Sequence, residues 1–125
     1  MKNSNTNKTI LVIDSNKIHR LLLEKILNRT NYNLVFATNE KEIHNYCCSI
    51  MSFDLVIIEL FLCGTDGFAL IKLIKEIRKE IPVIALTVCA TKKEKEKCFQ
   101  SGCDVFISKP FDLKRLLEII DFWMM

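Results

Sequence analysis

At the centre of the chain stands the sequence Asp54-Leu-Val-Ile-Ile-Glu59-Leu-Phe-Leu-Cys-Gly-Thr-Asp-Gly67. A short run that is apolar almost throughout is typical of a central parallel strand covered on both faces. Gly64 and Gly67 then supply the permissive backbone of a turn. The sequence therefore predicts a buried strand over 55–60, with the carboxylate of Glu59 at its carboxyl end. Open parallel α/β sheets carry their chemistry at that end.

On both sides of this strand, short β-branched runs alternate with longer segments whose apolar residues recur at helical spacing. Further strands are predicted over 9–13, 33–37, 83–87 and 105–108. Helices are predicted over 17–28, from 39 to about 51, from the glycine turn to before Pro82, over 92–101, and from 112 onward. Five such units in a row predict one doubly wound α/β domain, a five-stranded parallel sheet with five helices, because crossovers between parallel strands are almost always right-handed.

The predicted helices carry start signals and apolar faces. Ser15 or Asn16 is expected to cap the first helix, Asn39 and Glu42 have the spacing of a capping box, and Asp112 is expected to cap the last helix. Apolar faces are predicted at Ile18, Leu21, Leu22 and Ile26; at Leu70, Leu73, Ile74 and Ile77; and at Leu113, Leu116, Leu117 and Ile120.

The length of 125 residues predicts a single domain over 9–125, preceded by a polar flexible tail over 1–8. Neither a membrane span nor a signal peptide is recognisable, so we expect a cytoplasmic protein without membrane contact. The net charge of +3 is mild, and the charges of Lys92–Lys97 alternate in sign, which argues against nucleic-acid binding.

The six cysteines are expected to be reduced thiols. An alternative is a redox or metal site formed by Cys63 and Cys89, which both follow strand ends, although their spacing is not that of a regular ligand motif. His19 and His44 lie on predicted helices, and both are expected to be exposed without a partner.

Four sequence pieces follow one another at the predicted strand ends: Ile10-Leu-Val-Ile-Asp-Ser15; 54–60 with Gly64 and Asp66-Gly67; Pro82-Val-Ile-Ala-Leu-Thr87; and Gly102-Cys-Asp-Val-Phe-Ile-Ser-Lys-Pro-Phe111. Together and in this order, they resemble the receiver domain of response regulators. The resemblance covers residues 9 to about 122. It implies the flavodoxin-like strand order 2-1-3-4-5 and a role in two-component or phosphorelay signal transduction.

The resemblance also implies roles for single residues at the strand ends. Asp14 and Ser15 take the two positions of an acid pair, Glu59 takes the phosphoacceptor position, and Thr87 takes the hydroxyl position. The Lys-Pro pair, whose peptide bond is often cis in the family, is Lys109-Pro110. Phe106 takes the position of the aromatic switch residue.

Two of these positions depart from the family pattern, because Ser15 replaces an acid and Glu59 replaces the acceptor aspartate. A milder departure is Cys63, where the family usually has proline. The family binds Mg²⁺ through the acceptor, one acid and a backbone carbonyl, which here would belong to Phe61. With Ser15 in place of an anionic ligand, Asp14, Glu59 and the Phe61 carbonyl are weak ligands for Mg²⁺, and we expect no cofactor.

The extra methylene of Glu59 is expected to carry its carboxylate toward Thr87 and Lys109, where a phosphoryl group would otherwise lie. We therefore predict a pseudo-receiver without enzymatic activity. It would act independently of phosphorylation, by contacts with a histidine kinase or an output protein through the face of the fourth helix, fifth strand and fifth helix. Three alternatives remain: a structural Glu59–Lys109 salt bridge without a role in signalling, a working phosphoacceptor that uses Glu59 with Mg²⁺, and a doubly wound domain that binds a small anion.

Overall fold

The computed structural model of the protein describes residues 8–62, 64–88 and 90–125. Residues 1–7 of the predicted tail lie outside this range, as do Cys63 and Cys89 and therefore the predicted cysteine site. Lys8 is held at both of its ends. Its carbonyl accepts a hydrogen bond from Asn33 N at 2.9 Å, and its ammonium donates to the carbonyl of Met124.

Within the described residues, five parallel strands form the main sheet: β1 (Thr9–Ile13), β2 (Asn33–Ala37), β3 (Leu55–Ile58), β4 (Val83–Thr87) and β5 (Val105–Ser108). The helices are α1 (Lys17–Leu27), α2 (Glu40–Cys48), α3 (Gly67–Ile77), α4 (Lys92–Ser101) and α5 (Leu113–Met124). The strand order is β2-β1-β3-β4-β5, so the α/β class and the order 2-1-3-4-5 are confirmed. A 3-10 helix (Ile50–Ser52) follows α2, and Phe61–Leu62 pairs antiparallel with Thr65–Asp66 after β3.

The central strand β3 divides two apolar layers. Leu55 and Ile57 pack on one side of the sheet with residues of α1 and α5, and Val56 and Ile58 pack on the other side with residues of α2 and α3. All four are at most 1% exposed. This strand ends at Ile58, two residues earlier than predicted, and Glu59 is therefore the first residue beyond it.

Side-chain caps fix where the first two helices begin. Asn16, rather than Ser15, caps α1, because its side-chain oxygen accepts hydrogen bonds from the backbone N–H groups of Ile18 and His19 at 2.9 and 3.1 Å. Asn39 caps α2 in the same way through Glu42 N at 2.9 Å. The Glu42 carboxylate accepts from Thr38, whose hydroxyl and N–H hydrogen bonds hold the pKa of this carboxyl below its usual range.

The predicted apolar faces of α1 and α3 are partly wrong, whereas that of α5 is confirmed. In α1 the buried residues are Leu23, Ile26 and Leu27, while Ile18, Leu21 and Leu22 are 74%, 54% and 48% exposed. In α3, Leu70, Ile71 and Ile74 are buried, but Leu73 and Ile77 are exposed. Leu116 and Ile120 of α5 are buried as expected. A helix with many aliphatic residues offers two neighbouring stripes of the same period, and the side from which the sheet approaches selects one of them.

The two glycines of the turn after β3 serve different purposes. Gly64 has a φ of +76°, a left-handed conformation that costs other residues energy. At Gly67, a Cβ atom would lie 2.5 Å from the carbonyl oxygen of Leu60. Gly67 therefore permits a close approach between the start of α3 and the chain just beyond Glu59.

In the part of the chain that the structure describes, no helix combines the length and the apolar character that a bilayer crossing requires.

Candidate functional site

The ends of four strands hold the predicted site residues in one place. Asp14 N bonds to Ala37 O at 3.2 Å, Glu59 N to Ile13 O at 2.9 Å, and Lys109 N to Thr87 O at 2.8 Å. These bonds extend the pairing of the sheet by one residue beyond the strands. The backbone of the sheet therefore fixes where the side chains of Asp14, Glu59 and Lys109 begin.

The ammonium of Lys109 lies between two buried carboxylates. Its Nζ atom is 3.2 Å from Asp14 Oδ2 and 3.1 Å from Glu59 Oε1. The side chains of Lys109, Asp14 and Glu59 are 10%, 4% and 4% exposed. Buried charges need partners of opposite charge, and the Lys109 ammonium has two of them, the carboxylates of Asp14 and Glu59. The predicted contact between Glu59 and Lys109 is thus confirmed.

Backbone N–H groups complete the surroundings of the carboxylates. Glu59 Oε2 accepts from Phe61 N at 3.2 Å, and Oε1 accepts from Val88 N at 3.3 Å as well as from Lys109. Asp14 Oδ1 accepts from Asn16 N at 2.9 Å. Among the hydrogen bonds of the described residues, both oxygens of Glu59 are therefore engaged.

His19 also belongs to this cluster, and the expectation of an exposed histidine without a partner is wrong. Its Nδ1 atom lies 2.7 Å from Lys109 Nζ and 3.4 Å from Asp14 Oδ2, and its side chain is 27% exposed. The sequence did contain a sign of this contact. His19 lies three residues beyond the cap residue Asn16, in the first turn of the helix that follows Asp14. His44 is exposed on α2, as expected.

The remaining predicted residues differ in their burial. Ser15 is exposed, and Thr87 is fully buried at the end of β4. Pro110 follows a cis peptide bond from Lys109 and is exposed. Phe106 is half-buried and packs against the core. Ser15 thus follows Asp14 directly in the sequence, but it is exposed to solvent.

An open cavity of about 730 Å³ lies over the cluster and is lined by residues that include Asp14, His19, Glu59 and Val88. A second cavity of about 520 Å³ shares His19 and Val88 with the first. Its lining is mainly apolar and includes Leu22 and Phe111. The charged cluster is therefore accessible from solvent on one side and borders apolar surface on the other.

The donor atoms of this cluster fit Mg²⁺ poorly. The carboxylates of Asp14 and Glu59 are suitable ligands, but the third convergent donor is the imidazole nitrogen of His19. Mg²⁺ prefers oxygen ligands in a strict octahedral arrangement, and here the second acid is replaced by the exposed Ser15.

Comparison with known proteins agrees with this geometry. The family model of the response regulator receiver domain matches residues 10–121. The chain therefore belongs to the response regulator receiver domain family and is a receiver domain of two-component signalling.

Individual relatives differ in how much of their length the chain spans. It is 31% identical over 117 residues to the sensor histidine kinase RcsC of Salmonella typhi. This match covers 94% of the chain but only 12% of the kinase. It is also 28% identical to the polar-differentiation response regulator DivK of Brucella anthropi, and this match covers 90% of the chain and 93% of DivK. The non-phosphorylated HemR receiver domain of Leptospira biflexa has a TM-score of 0.85 at 29% identity, with 94% of each chain covered. The chain thus spans a small part of the sensor kinase that it matches and nearly all of DivK.

Proposed function

We propose that this receiver domain acts by protein–protein contact and does not accept a phosphoryl group on Glu59. The observation that carries the proposal is the set of contacts made by the Glu59 carboxylate, which is buried and engaged at both oxygens by Phe61 N, Val88 N and Lys109 Nζ. In this interpretation, the carboxylate takes the place that a phosphoryl group would otherwise occupy.

The chemistry of phosphoryl transfer supports this assignment. An acceptor oxygen has to approach phosphorus in line with the leaving group, and a cation has to absorb charge on the phosphoryl oxygens. Both oxygens of Glu59 already accept hydrogen bonds. In addition, the cluster has a net charge of −1, because Asp14 and Glu59 contribute two negative charges and Lys109 contributes one positive charge. An incoming phosphoryl donor is anionic and is repelled by that charge.

The same negative charge argues against the alternative of a small-anion site. Two buried carboxylates line the cavity, and one lysine neutralises only part of their charge. A free anion would add a further negative charge at this position.

The hydrogen bonds of the Glu59 carboxylate explain how the domain would fail to respond to phosphorylation. Glu59 holds Lys109 by a charge-assisted hydrogen bond of 3.1 Å and holds the chain after β4 through Val88 N. We propose that, as long as Lys109 occupies this position, these contacts keep the domain near one conformation, with Phe106 in its half-buried position. The module itself carries out no catalysis in this proposal, and it works in the cytoplasm.

The proposed partner is a histidine kinase or an output protein that binds the face formed by α4, β5 and α5. Two features support this surface. The strand β5 lies at the edge of the sheet, and Phe99 of α4 is 44% exposed. The charged residues of α4 alternate in sign, which suits a protein surface better than a nucleic acid. A competing surface is α1, where Ile18 and Leu21 are exposed.

The first experiment tests phosphorylation directly. The chain is incubated with acetyl phosphate and Mg²⁺, and its intact mass is measured. We expect no phosphoryl adduct, while the matched variant Ser15→Asp/Glu59→Asp, which restores the family pattern, gains one. A receiver with an aspartate acceptor shows in parallel that the reagent is active. An adduct on Glu59 of the unmodified chain would overturn the proposal.

The second experiment identifies the partner and the role of the charge. A pull-down with the intact domain is repeated with Glu59→Gln, with Phe99→Ser on α4 and with Leu21→Ser on α1. We expect Glu59→Gln and Phe99→Ser to weaken capture and Leu21→Ser to leave it unchanged. Unchanged binding of Glu59→Gln would refute the role of the charge but not the interaction. Loss with Leu21→Ser alone would move the interface to α1.

A further inference from the structure

We propose that Asp14, His19 and Glu59 form a binding site for a divalent transition metal ion of the zinc class, which replaces the ammonium of Lys109. The proposal does not depend on whether Glu59 can be phosphorylated. It rests on three donor atoms, one from each residue, that all lie within 4.8 Å of one another. Asp14 and Glu59 are buried, and His19 lies at the edge of the cavity.

The position of Lys109 Nζ shows that the three donors already converge on one cation. The ammonium nitrogen lies 3.2 Å from Asp14 Oδ2, 3.1 Å from Glu59 Oε1 and 2.7 Å from His19 Nδ1. An ammonium can only donate hydrogen bonds, so Nδ1 of His19 accepts, and the ring proton is on Nε2. His19 therefore directs a nitrogen lone pair at the centre of a cation site, which is the orientation that a metal ligand needs.

Local structure holds the histidine in this position. Asn16 caps α1 and accepts the backbone N–H of His19 at 3.1 Å. The N–H of Asn16 in turn donates to Asp14 Oδ1 at 2.9 Å, which leaves Oδ2 directed at Lys109. One chain segment thus orients two of the three ligands before any metal arrives, and such preorganisation lowers the cost of binding.

The type of donor selects the type of metal. The replacement of the second acid by Ser15 removes a hard oxygen ligand, and His19 supplies a nitrogen in its stead. Two carboxylates and one imidazole suit zinc, nickel or copper better than Mg²⁺. Three protein ligands with an open position toward a solvent cavity are also an arrangement that zinc adopts with a bound water. The cavity of about 730 Å³ provides that opening.

Lys109 has to leave the centre when a metal enters. Its stem is flexible, and the ammonium competes for the same three donor atoms. With the ammonium the ligand set keeps a net charge of −1, whereas a divalent ion in its place neutralises the two carboxylates. Electrostatics therefore favours the exchange, and removal of the lysine should strengthen metal binding.

The test is a titration of the chain with Zn²⁺, Co²⁺ and Mg²⁺ in separate experiments, followed by calorimetry and, for Co²⁺, by visible absorption. We expect Zn²⁺ and Co²⁺ to bind with one-to-one stoichiometry and far more tightly than Mg²⁺. His19→Ala is expected to weaken Zn²⁺ binding roughly 10-fold or more. The matched control is His44→Ala, which removes the other histidine of the chain and should leave the affinity unchanged.

Two further variants keep the result interpretable. His19→Gln retains an acceptor for Lys109 but removes the imidazole, so it should lose Zn²⁺ affinity even if His19→Ala is poorly folded. Lys109→Met should bind Zn²⁺ more tightly than the unmodified chain. Zn²⁺ affinity that is unchanged in the folded His19 variants, or equal affinity for Mg²⁺ and Zn²⁺, would overturn the proposal.

Thiols are another source of metal ligands, and a serine variant that leaves the buried Cys47, Cys98 and Cys103 in place tests the other three. Cys48→Ser/Cys63→Ser/Cys89→Ser should keep the Zn²⁺ affinity, and its Co²⁺ complex should lack the charge-transfer band that a thiolate ligand adds in the near ultraviolet. Loss of binding in this variant would assign the metal to cysteines and would refute the site at Asp14, His19 and Glu59.

Discussion

Replacement of Lys109 by methionine should destabilise the domain far more than replacement of Glu59 by glutamine. Lys109 lies 3.2 and 3.1 Å from two carboxylates that are each 4% exposed. At this separation and an effective dielectric constant near 20, each pair interacts with about 5 kcal/mol before the cost of desolvation is subtracted. Methionine keeps the length and the apolar stem but leaves both carboxylates without their cation. We expect a loss of about 3–5 kcal/mol in the free energy of unfolding.

Glu59→Gln changes the same cluster in the opposite electrostatic sense. It leaves one carboxylate, Asp14, for one ammonium, Lys109, and its side-chain oxygen still accepts hydrogen bonds. The N–H of Phe61 loses its acceptor at Oε2. Because this N–H is only partly buried, the loss of its acceptor costs at most about 1–2 kcal/mol. The expected loss in the free energy of unfolding is therefore smaller than that for Lys109→Met.

The assay is urea denaturation of both single variants and of the double variant at neutral pH. Because Glu59→Gln removes one of the two charges that Lys109 neutralises, the double variant should be no less stable than Lys109→Met alone. The losses would then be non-additive by at least about 1 kcal/mol. Lys95→Met, an exposed lysine on α4, is the control and should change stability by less than about 0.5 kcal/mol. Strictly additive losses, or a Lys109→Met variant within about 1 kcal/mol of the unmodified chain, would refute the buried charge cluster.

Three other predictions concern sites elsewhere in the fold. Gly67→Ala should lower the free energy of unfolding by about 1–3 kcal/mol, because its Cβ would lie 2.5 Å from Leu60 O; a stability unchanged in urea would contradict that contact. Burial, with the 2.7 Å hydrogen bond to Asp121 adding to it, raises the pKa of Tyr32 to about 12, above its usual value near 10. Its contribution to stability should be complete below about pH 10 and lost as the pH rises toward 12, and Tyr32→Phe should abolish this loss in alkaline unfolding curves. Among the cysteines that the structure describes, Cys48 is exposed, so in a chain with Cys63→Ser and Cys89→Ser it should react first with a thiol reagent at neutral pH, and a further Cys48→Ser should remove the fastest phase.

Slow reaction of the buried Cys47 and Cys103 is expected from their surroundings. Burial raises the pKa of Cys47 to about 11. A hydrogen bond to Cys98 and burial both raise the pKa of the Cys103 thiol. Since the thiolate is the reactive form, these side chains are poorly reactive as well as poorly accessible.

Local sequence was sufficient for most of the fold. The strands β1, β2, β4 and β5 have the predicted limits, because β-branched runs between turn residues have few other stable conformations. Helix starts were readable where a side chain caps the helix, as at Asn39 and Asp112. The prediction failed for the buried face of α1, since Ile18, Leu21 and Leu22 have the same period as the residues that are buried.

The local pattern is enough to put Asp14, Glu59, Thr87 and Lys109 at strand ends, because the alternation of strands and helices places these residues after apolar runs. The contact between Glu59 and Lys109 was expected from the sequence, whereas the approach of Asp14 and His19 to the same ammonium became visible only in the folded chain. Strand pairing sets backbone positions through hydrogen bonds between distant segments, as between Glu59 N and Ile13 O, and such pairing cannot be read from neighbouring residues. The rotation of α1 about its axis, which brings His19 to the carboxylates, is set by packing of Leu23, Ile26 and Leu27 against the sheet and is not encoded in the local pattern.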